Sequence, residues 1–355
     1  MVGVSTQSEL VILNLIPNNR GWQPITHLVK MMHEIFGARV ITPGPERASL
    51  PVRLGFRVLS RRRAEGAPSL LIIAPKADKI RRFRELPEWR NTYRTVAAWV
   101  IDSFHSENLS ASDGFRHLDK LFVTWGGNIP EYQAMTNGPV IWLPWGTDAL
   151  RLGHVEDSRR WDLLRFGRQP ASWEDDDATS AQLAAHGLSF QGRPDENTYD
   201  GLLSRYLAQS KFILAHSNLA DGSSYTHSTR EYFTARWVDA FACGAGVIGV
   251  QPKSDPLFET ILPEAIVNLA TTDRDAELPR IRQDIQDWTP ERAIRIRNMA
   301  LHDFDWRWRL KDVARELDLP TERLNAELAE IQLLLDQDAQ RFSPKTSNSM
   351  QNAGF

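Results

Sequence analysis

The sequence predicts an α/β protein made of two Rossmann-like, doubly wound domains facing each other across a cleft. Three observations predict it. Short continuous apolar runs alternate with segments whose apolar residues recur at helical spacing, the pattern of a parallel sheet covered on both faces. The alternation lapses in a polar, turn-rich stretch from Thr147 to Ser158 and then restarts. The length, 355 residues, suits two domains of roughly 150 residues each.

The first run, SELVILNLIP, reads as a buried strand. Pro24, Ile25, Leu28, Val29, Met32, Ile35 and Phe36 then follow helical spacing, and Gly37 stops that helix before a second strand, ARVITPG. Further strands are expected at 69–75, 95–102, 120–125 and 139–145, with a short helix at IPEYQAM. Residues 1–150 are therefore assigned to an N-terminal Rossmann-like domain. The second domain, 158–310, is expected to carry strands at 162–168, 188–193, 211–217, 246–251 and 265–270 and helices at 196–209 and 231–243. QPASWEDDD reads as a long acidic loop, and 273–299 and 307–341 as helical. Residues 311–342 are expected to pack back on the first domain, and 343–355, with little to bury, to be a disordered tail. Ligands of such sheets bind beyond the carboxyl ends of the strands.

Composition excludes several function classes. With 42% hydrophobic and 25% charged residues the chain is not disordered, collagen-like or a coiled coil. Its longest apolar runs, Leu70 to Ala74 and Val96 to Ile101, fall far short of the roughly 18 residues of a membrane-spanning helix. The opening MVGVSTQSELVILNLIP lacks a basic start and a small-residue cleavage site, so a cytoplasmic protein is expected. One cysteine, Cys243, excludes an internal disulfide and a cysteine-cluster metal site, and reads as packing. The net charge of −3 hides an asymmetry, because residues 1–150 hold 18 Lys+Arg against 13 Asp+Glu. The excess lies in Arg53 to Arg63 and Lys79 to Arg94, where arginines interleave with Phe83, Trp89 and Tyr93. A solvated face, an anionic membrane surface and nucleic acid are the three readings; Glu85 and Glu88 interrupt the run and disfavour nucleic acid.

Familiar nucleotide and metal signatures are missing. There is no GxxxxGK[ST], no HExxH and no GxGxxG after the first strand. The spacings His27 to His33 and His216 to His227 fit no familiar metal pattern, so no metal and no cofactor is expected. Trp22, Trp125, Trp142, Trp145 and Trp173 either stack on sugars in a cleft or belong to the core.

The most informative segment is TREYFTARWVDAFACGAGVIG, Thr229 to Gly249. Glu231 and Asp239 stand eight residues apart, so the first acid sits at a helix N-terminus and the second two turns along nearly the same face. A carboxylate suits sugar and ribose hydroxyls because it accepts several hydrogen bonds. Ordinary helix acids are the bland alternative. The segment, with the downstream DPLFETIL, resembles the donor-site region of GT-B glycosyltransferases of the group 1 or family 4 type, whose E-x7-E motif precedes an Ala-Cys-Gly turn. Phe233 matches that family; Thr234 replaces its usual glycine and Asp239 its second glutamate. RWDLLRFGRQP, with Gly167 and Arg168, resembles the strand that opens the family's second domain, but Ala171, Ser172 and Trp173 stand where its lysine would follow. Arg236 resembles an arginine of the spore-maturation-like branch, with a surface helix arginine as the alternative.

The resemblance implies a glycosyltransferase that takes a sugar from a nucleotide-diphosphate donor bound by 158–310 to an acceptor bound by 1–150, by a retaining reaction that requires no dedicated protein base. Glu231 would hold the sugar, Asp239 the ribose, and Arg168, Arg230 or Arg236 with helix amides the diphosphate. Gly21, in the turn before the first helix, would approach the donor, and Asp102 and His105, at a strand end, would orient the acceptor or act as base if the reaction inverts. Asp148, in a Gly-x-Asp turn, reads as structural. Glycan, lipid-linked and small-molecule acceptors all stay open, as does peripheral association with the inner face of a membrane. The alternatives are a catalytically silent scaffold or partner subunit and a nucleotide-sugar epimerase.

Overall fold

The computed structural model describes residues 9–43, 66–85, 92–107, 109, 114–220, 226–253 and 256–342. The basic stretch Arg53 to Arg63, Trp89 and Glu88 of the second basic stretch, Asp255 of DPLFETIL and the tail 343–355 lie outside the described residues.

The first sheet is parallel throughout, in the order β2-β1-β3-β4-β5-β6, from β1 (Leu10–Asn14), β2 (Arg39–Ile41), β3 (Ser69–Ala74), β4 (Val96–Val100), β5 (Lys120–Val123) and β6 (Val140–Trp142). Both faces are buried, which is why the strands read as unbroken apolar runs. Leu10, Ile12, Leu71 and Ile73 turn to the layer holding α1 (Gln23–Phe36), while Val11, Leu13, Leu70 and Ile72 turn to Ile80, Phe83 and Phe115. Gly37 ends α1 at φ 61, a left-handed position that costs glycine nothing. Helix α2 (Ile129–Gln133) leads into β6.

The second sheet, also parallel, runs β11-β10-β9-β7-β8, from β7 (Trp161–Arg165), β8 (Phe190–Gln191), β9 (Ser210–Leu214), β10 (Gly246–Gly249) and β11 (Ile266–Asn268). Two doubly wound α/β units in series are thus the architecture.

Local chemistry corrects five expectations. QPASWEDDD is not a loop: Ala171–Glu174 forms α3 and Asp176–Ala185 forms α4. Asp175 caps α4 by accepting the N–H of Ala178, and Asp176 and Asp177 occupy its first turn, where acids complement the helix dipole. The 196–209 helix is α5 (Tyr199–Leu202) continued by a wider turn, and the helix expected from residue 231 starts later, as α6 (Ala235–Ala242). Residues 273–299 divide into α7 (Arg274–Gln286) and α8 (Pro290–Met299), because Thr289 caps a new start before Pro290. Likewise Asp318, at φ 52, separates α9 (Trp306–Leu317) from α10 (Glu322–Phe342). Among the described residues no helix is long and apolar enough to cross a membrane.

The C-terminal helices return to the first domain. Arg94 donates to Leu317 O at 2.9 Å, and Lys120 pairs with Glu316 at 2.7 Å. The start of the connection between the domains is buried, with Thr147 and Asp148 fully covered. Thr147 forms a parallel bridge with Asp305, and Arg307, itself fully buried, joins Asp148 at 2.8 Å, Asp305 at 3.0 Å and Glu327 at 2.6 Å. Asp148 also accepts from His27 of α1 at 2.7 Å. Burial alone would raise the Asp148 pKa, but His27 and Arg307 hold it below the ordinary value.

Removing Arg307 leaves Asp148, Asp305 and Glu327 without their shared cation. Arg307→Leu is expected to cost about 3–5 kcal/mol in urea denaturation. Arg295→Leu removes a 51% exposed arginine from Glu264, outside the cluster, and is expected to cost about 1 kcal/mol or less. Equal losses in the two variants would overturn this assignment of the buried ion cluster.

Candidate functional site

A cavity of about 510 Å³ opens between the two domains at the carboxyl ends of their strands, within the usual size of small-molecule sites. The first domain supplies Arg20, Gly21 and Trp22 from the turn after β1, Asp102 and Phe104 from the end of β4, and Trp145 after β6. The second supplies Phe166, Gly167 and Arg168 after β7, His216 and Asn218 after β9, and the start of α6. The turn after β1 leans across the cleft, with Arg20 donating to Pro194 O at 2.7 Å.

One wall is cationic. Gly167 sits at φ +82, and a Cβ there would meet Arg236 Cδ at 3.0 Å, so glycine lets the guanidinium lie against the turn. Arg236 donates to Arg168 O at 3.0 Å and Phe166 O at 3.4 Å, which brings both arginines into one wall. Thr234, the residue before α6, is extended and makes no side-chain cap, and its hydroxyl has no partner among the described residues. Beside it His216 accepts the N–H of Val250 on Nδ1 at 3.0 Å.

Asp239 is the acid deepest in this site. It is fully buried, and its Oδ1 accepts from Thr147 Oγ1 at 2.8 Å and Tyr199 OH at 2.6 Å. Its Oδ2 has no partner among the described residues. Burial pushes its pKa up to about 7, against the two hydroxyl donors that pull it down. Across the cavity burial also pushes Asp102 up to about 7, against the pull of Lys76.

The cavity thus brings together Gly21, Asp102, Gly167, Arg168, Thr234, Arg236 and Asp239. Four other candidates lie outside its lining. Glu231 accepts from Ser217 Oγ at 2.6 Å and Lys253 N at 2.8 Å, tying the loops after β9 and β10 together. Arg230 crosses to the first domain, donating to Phe104 O at 2.6 Å, Ser106 Oγ at 2.8 Å and Glu131 at 2.9 Å, over the ring of Trp125. Phe233 is buried among Trp237, Phe241, Phe258 and Phe304. His105 stands 5.5 Å from the His227 ring. Of the tryptophans, Trp22 and Trp145 line the cavity, and Trp173 is a core residue.

His105, Glu107 and His227 offer ligand atoms within 4.8 Å of one another. Their bonding fits a clasp between domains better than a metal. His227 Nδ1 accepts the N–H groups of Thr229 and Arg230, so the ring proton lies on Nε2, facing Glu107. A metal-bound histidine instead donates its other N–H, and Arg230 already pairs with Glu107 at 3.3 Å.

Sequence reasoning missed Tyr199, His216, Asn218 and Arg193 as lining residues. Only their places after strands or in a long loop of the second domain signalled them.

The Asp239 carboxyl generates a pH prediction. Its folded pKa of about 7 lies above the model-compound 3.8, so the folded state keeps its proton longer and loses stability as pH rises between those values. Asp239→Asn lacks that loss. Measured by urea denaturation, the variant's stability relative to wild type is therefore expected to improve from pH 4 to pH 7 by more than about 1.4 kcal/mol, the worth of one pKa unit. A flat difference would overturn it.

No protein-family model and no curated protein sequence matches the chain. Solved structures do match in shape. Sucrose-phosphate synthase from Thermosynechococcus elongatus aligns over 87% of this chain and 99% of its own, at 13% identity and a TM-score of 0.52. An alpha-glucosyltransferase in complex with UDP and DNA aligns over 88% and 100%, at 12% identity and a TM-score of 0.52. HepE of Anabaena in complex with UDP aligns over 94% and 99%, at 12% identity and a TM-score of 0.46. With its two parallel-sheet domains facing across a cleft, the chain has the GT-B fold of glycosyltransferases.

Proposed function

We propose that the protein is a glycosyltransferase that takes a sugar from a nucleotide-diphosphate donor, held mainly by its second domain, and transfers it with retention to an acceptor entering along the first. One observation carries the reading: the cleft combines a cationic turn, Gly167 and Arg168 under Arg236, with a buried carboxylate, Asp239, whose Oδ2 lacks a partner among the described residues. The cations suit a diphosphate and the carboxylate suits a ribose hydroxyl. The alpha-glucosyltransferase of the same fold, described in complex with UDP, supports a nucleotide ligand.

In the proposed reaction the bond between the anomeric carbon and the diphosphate oxygen breaks. The acceptor hydroxyl oxygen bonds to that carbon on the same face, and its proton passes to the departing diphosphate. Arg168 and Arg236 stabilise the charge that develops, each such donor contributing typically a few kcal/mol. Protein cations take on this task, so no metal is required. Asp102 faces the same space from the first domain, where a carboxylate can hold the acceptor hydroxyl or the sugar. Glu231, bonded to Ser217 and the Lys253 amide, braces the loops that frame the donor.

A second reading, a nucleotide-binding subunit without transfer activity, is favoured by one feature: Glu231 is engaged outside the cavity lining. Turnover separates the two.

Titration calorimetry with nucleoside diphosphates and nucleotide sugars tests the proposal. One nucleotide class is expected to bind, unchanged by EDTA, and Asp239→Ala to weaken it about tenfold or more, the loss of one charged hydrogen bond. Binding of no nucleotide by the wild type would overturn the reading; binding with neither hydrolysis nor transfer across an acceptor screen would establish the silent subunit.

A further inference from the structure

We propose that His216 is a binding residue for the diphosphate, donating its Nε2–H to a phosphate oxygen; the inference rests on the nucleotide-sugar reading above. The surrounding bonds fix which ring nitrogen carries the proton. His216 follows β9 by two residues, is 3% exposed and lines the cavity. Its Nδ1 receives the backbone N–H of Val250, so that nitrogen presents a lone pair and the proton of the neutral ring sits on Nε2. Nε2 is buried and has no partner among the described residues. Burial and the Arg236 charge push the ring down to about 4, so it is neutral at physiological pH. This cavity-lining side chain therefore carries one unpartnered N–H donor and no free acceptor among the described residues.

The neighbours select the occupant. Arg168 and Arg236 line the same cavity, as does Thr234, whose buried hydroxyl also lacks a partner among the described residues. Donors and cations gathered together suit an oxyanion, whereas a sugar hydroxyl would find no acceptor on this ring for its own proton. A buried N–H left unpaired is unfavourable, and a phosphate oxygen relieves that cost. Being neutral, His216 stabilises the leaving diphosphate by a hydrogen bond and does not protonate it.

The test is calorimetry with UDP, ADP and GDP, each beside its parent nucleoside, on wild type, His216→Leu and His216→Gln. His216→Leu is expected to weaken the preferred diphosphate by roughly 10- to 100-fold, as loss of a hydrogen bond to a charged group does. The matching nucleoside should bind it as it binds wild type. His216→Gln, whose amide nitrogen reaches toward the Nε2 position, should recover most of the loss. In the wild type, the histidine Nε2–H resonance in nitrogen-15 spectra should shift when the diphosphate is added, which decides the matter even if the leucine variant does not fold. Undiminished diphosphate binding by His216→Leu, or an equal loss for the nucleoside, overturns the inference and leaves the nucleotide reading standing. Binding of no nucleotide by wild type overturns both.

Discussion

The arrangement of the two domains depends on one buried cation. Arg307 has no exposed surface, yet it serves Asp148 at the end of the first domain, Asp305 ahead of α9 and Glu327 within α10. A guanidinium taken out of water is unfavourable unless its partners are placed to compensate it. That requirement ties the interdomain connection, the returning helices and, through His27 on Asp148, helix α1 to one point. The site hangs from the same point, since Thr147, next to Asp148, donates to Asp239. The depth at which the candidate ribose acid lies is therefore set by the ion cluster and not by the second domain alone.

The opposite side of the cleft is closed differently. There Phe104 stacks on Tyr232 at 3.7 Å, Arg230 reaches Glu131 and Glu107, and Arg20 reaches Pro194 O. Glu131 and Glu107 are nearly half exposed, 46% and 44% by side chain, and ion pairs of that kind contribute up to about 1 kcal/mol each. A buried ion cluster thus ties the domains behind the cleft, and partly exposed ion pairs tie them in front. His227 and Arg230 belong to the front contacts, so Arg230 turns away from the cationic wall although it neighbours Glu231 in sequence.

Much of the fold was legible because a parallel sheet buried on both faces writes itself as unbroken apolar runs: β1, β3 and β4 lie within the stretches that the apolar pattern marked. Acidic residues were harder to read. Asp175, Asp176 and Asp177 look like a solvated loop until α4 is seen to need a cap and a negative first turn. At the site, Gly167, Arg168, Arg236 and Asp239 were singled out by the resemblance of their two segments to a family, and all four line the cavity. His216 was not, because an isolated histidine carries no pattern; its meaning comes from the Val250 amide, which lies 34 residues away in sequence. Glu231 and Phe233 kept the expected spacing, but their side chains are taken up by a brace and an aromatic core.

Where the lysine would follow Arg168, Ala171, Ser172 and Trp173 lie in α3, with Trp173 buried in the core. Gln169 closes the turn before them, 2% exposed, its side chain donating to Leu214 O at 2.9 Å and its backbone N–H to Glu174 at 3.0 Å. The turn is thus filled by a neutral brace. Positive charge reaches the cavity instead from α6, where Arg236 is already fastened to the carbonyls of Phe166 and Arg168. A guanidinium fixed before the ligand arrives loses little side-chain freedom on binding. It also needs little reorganisation when charge develops on a leaving group, which is the condition under which electrostatic stabilisation acts most strongly. The same logic extends to His216, whose proton is held in place by a backbone amide on the far side of the ring. In this site the fold itself holds Arg236 against two backbone carbonyls and His216 against a backbone amide.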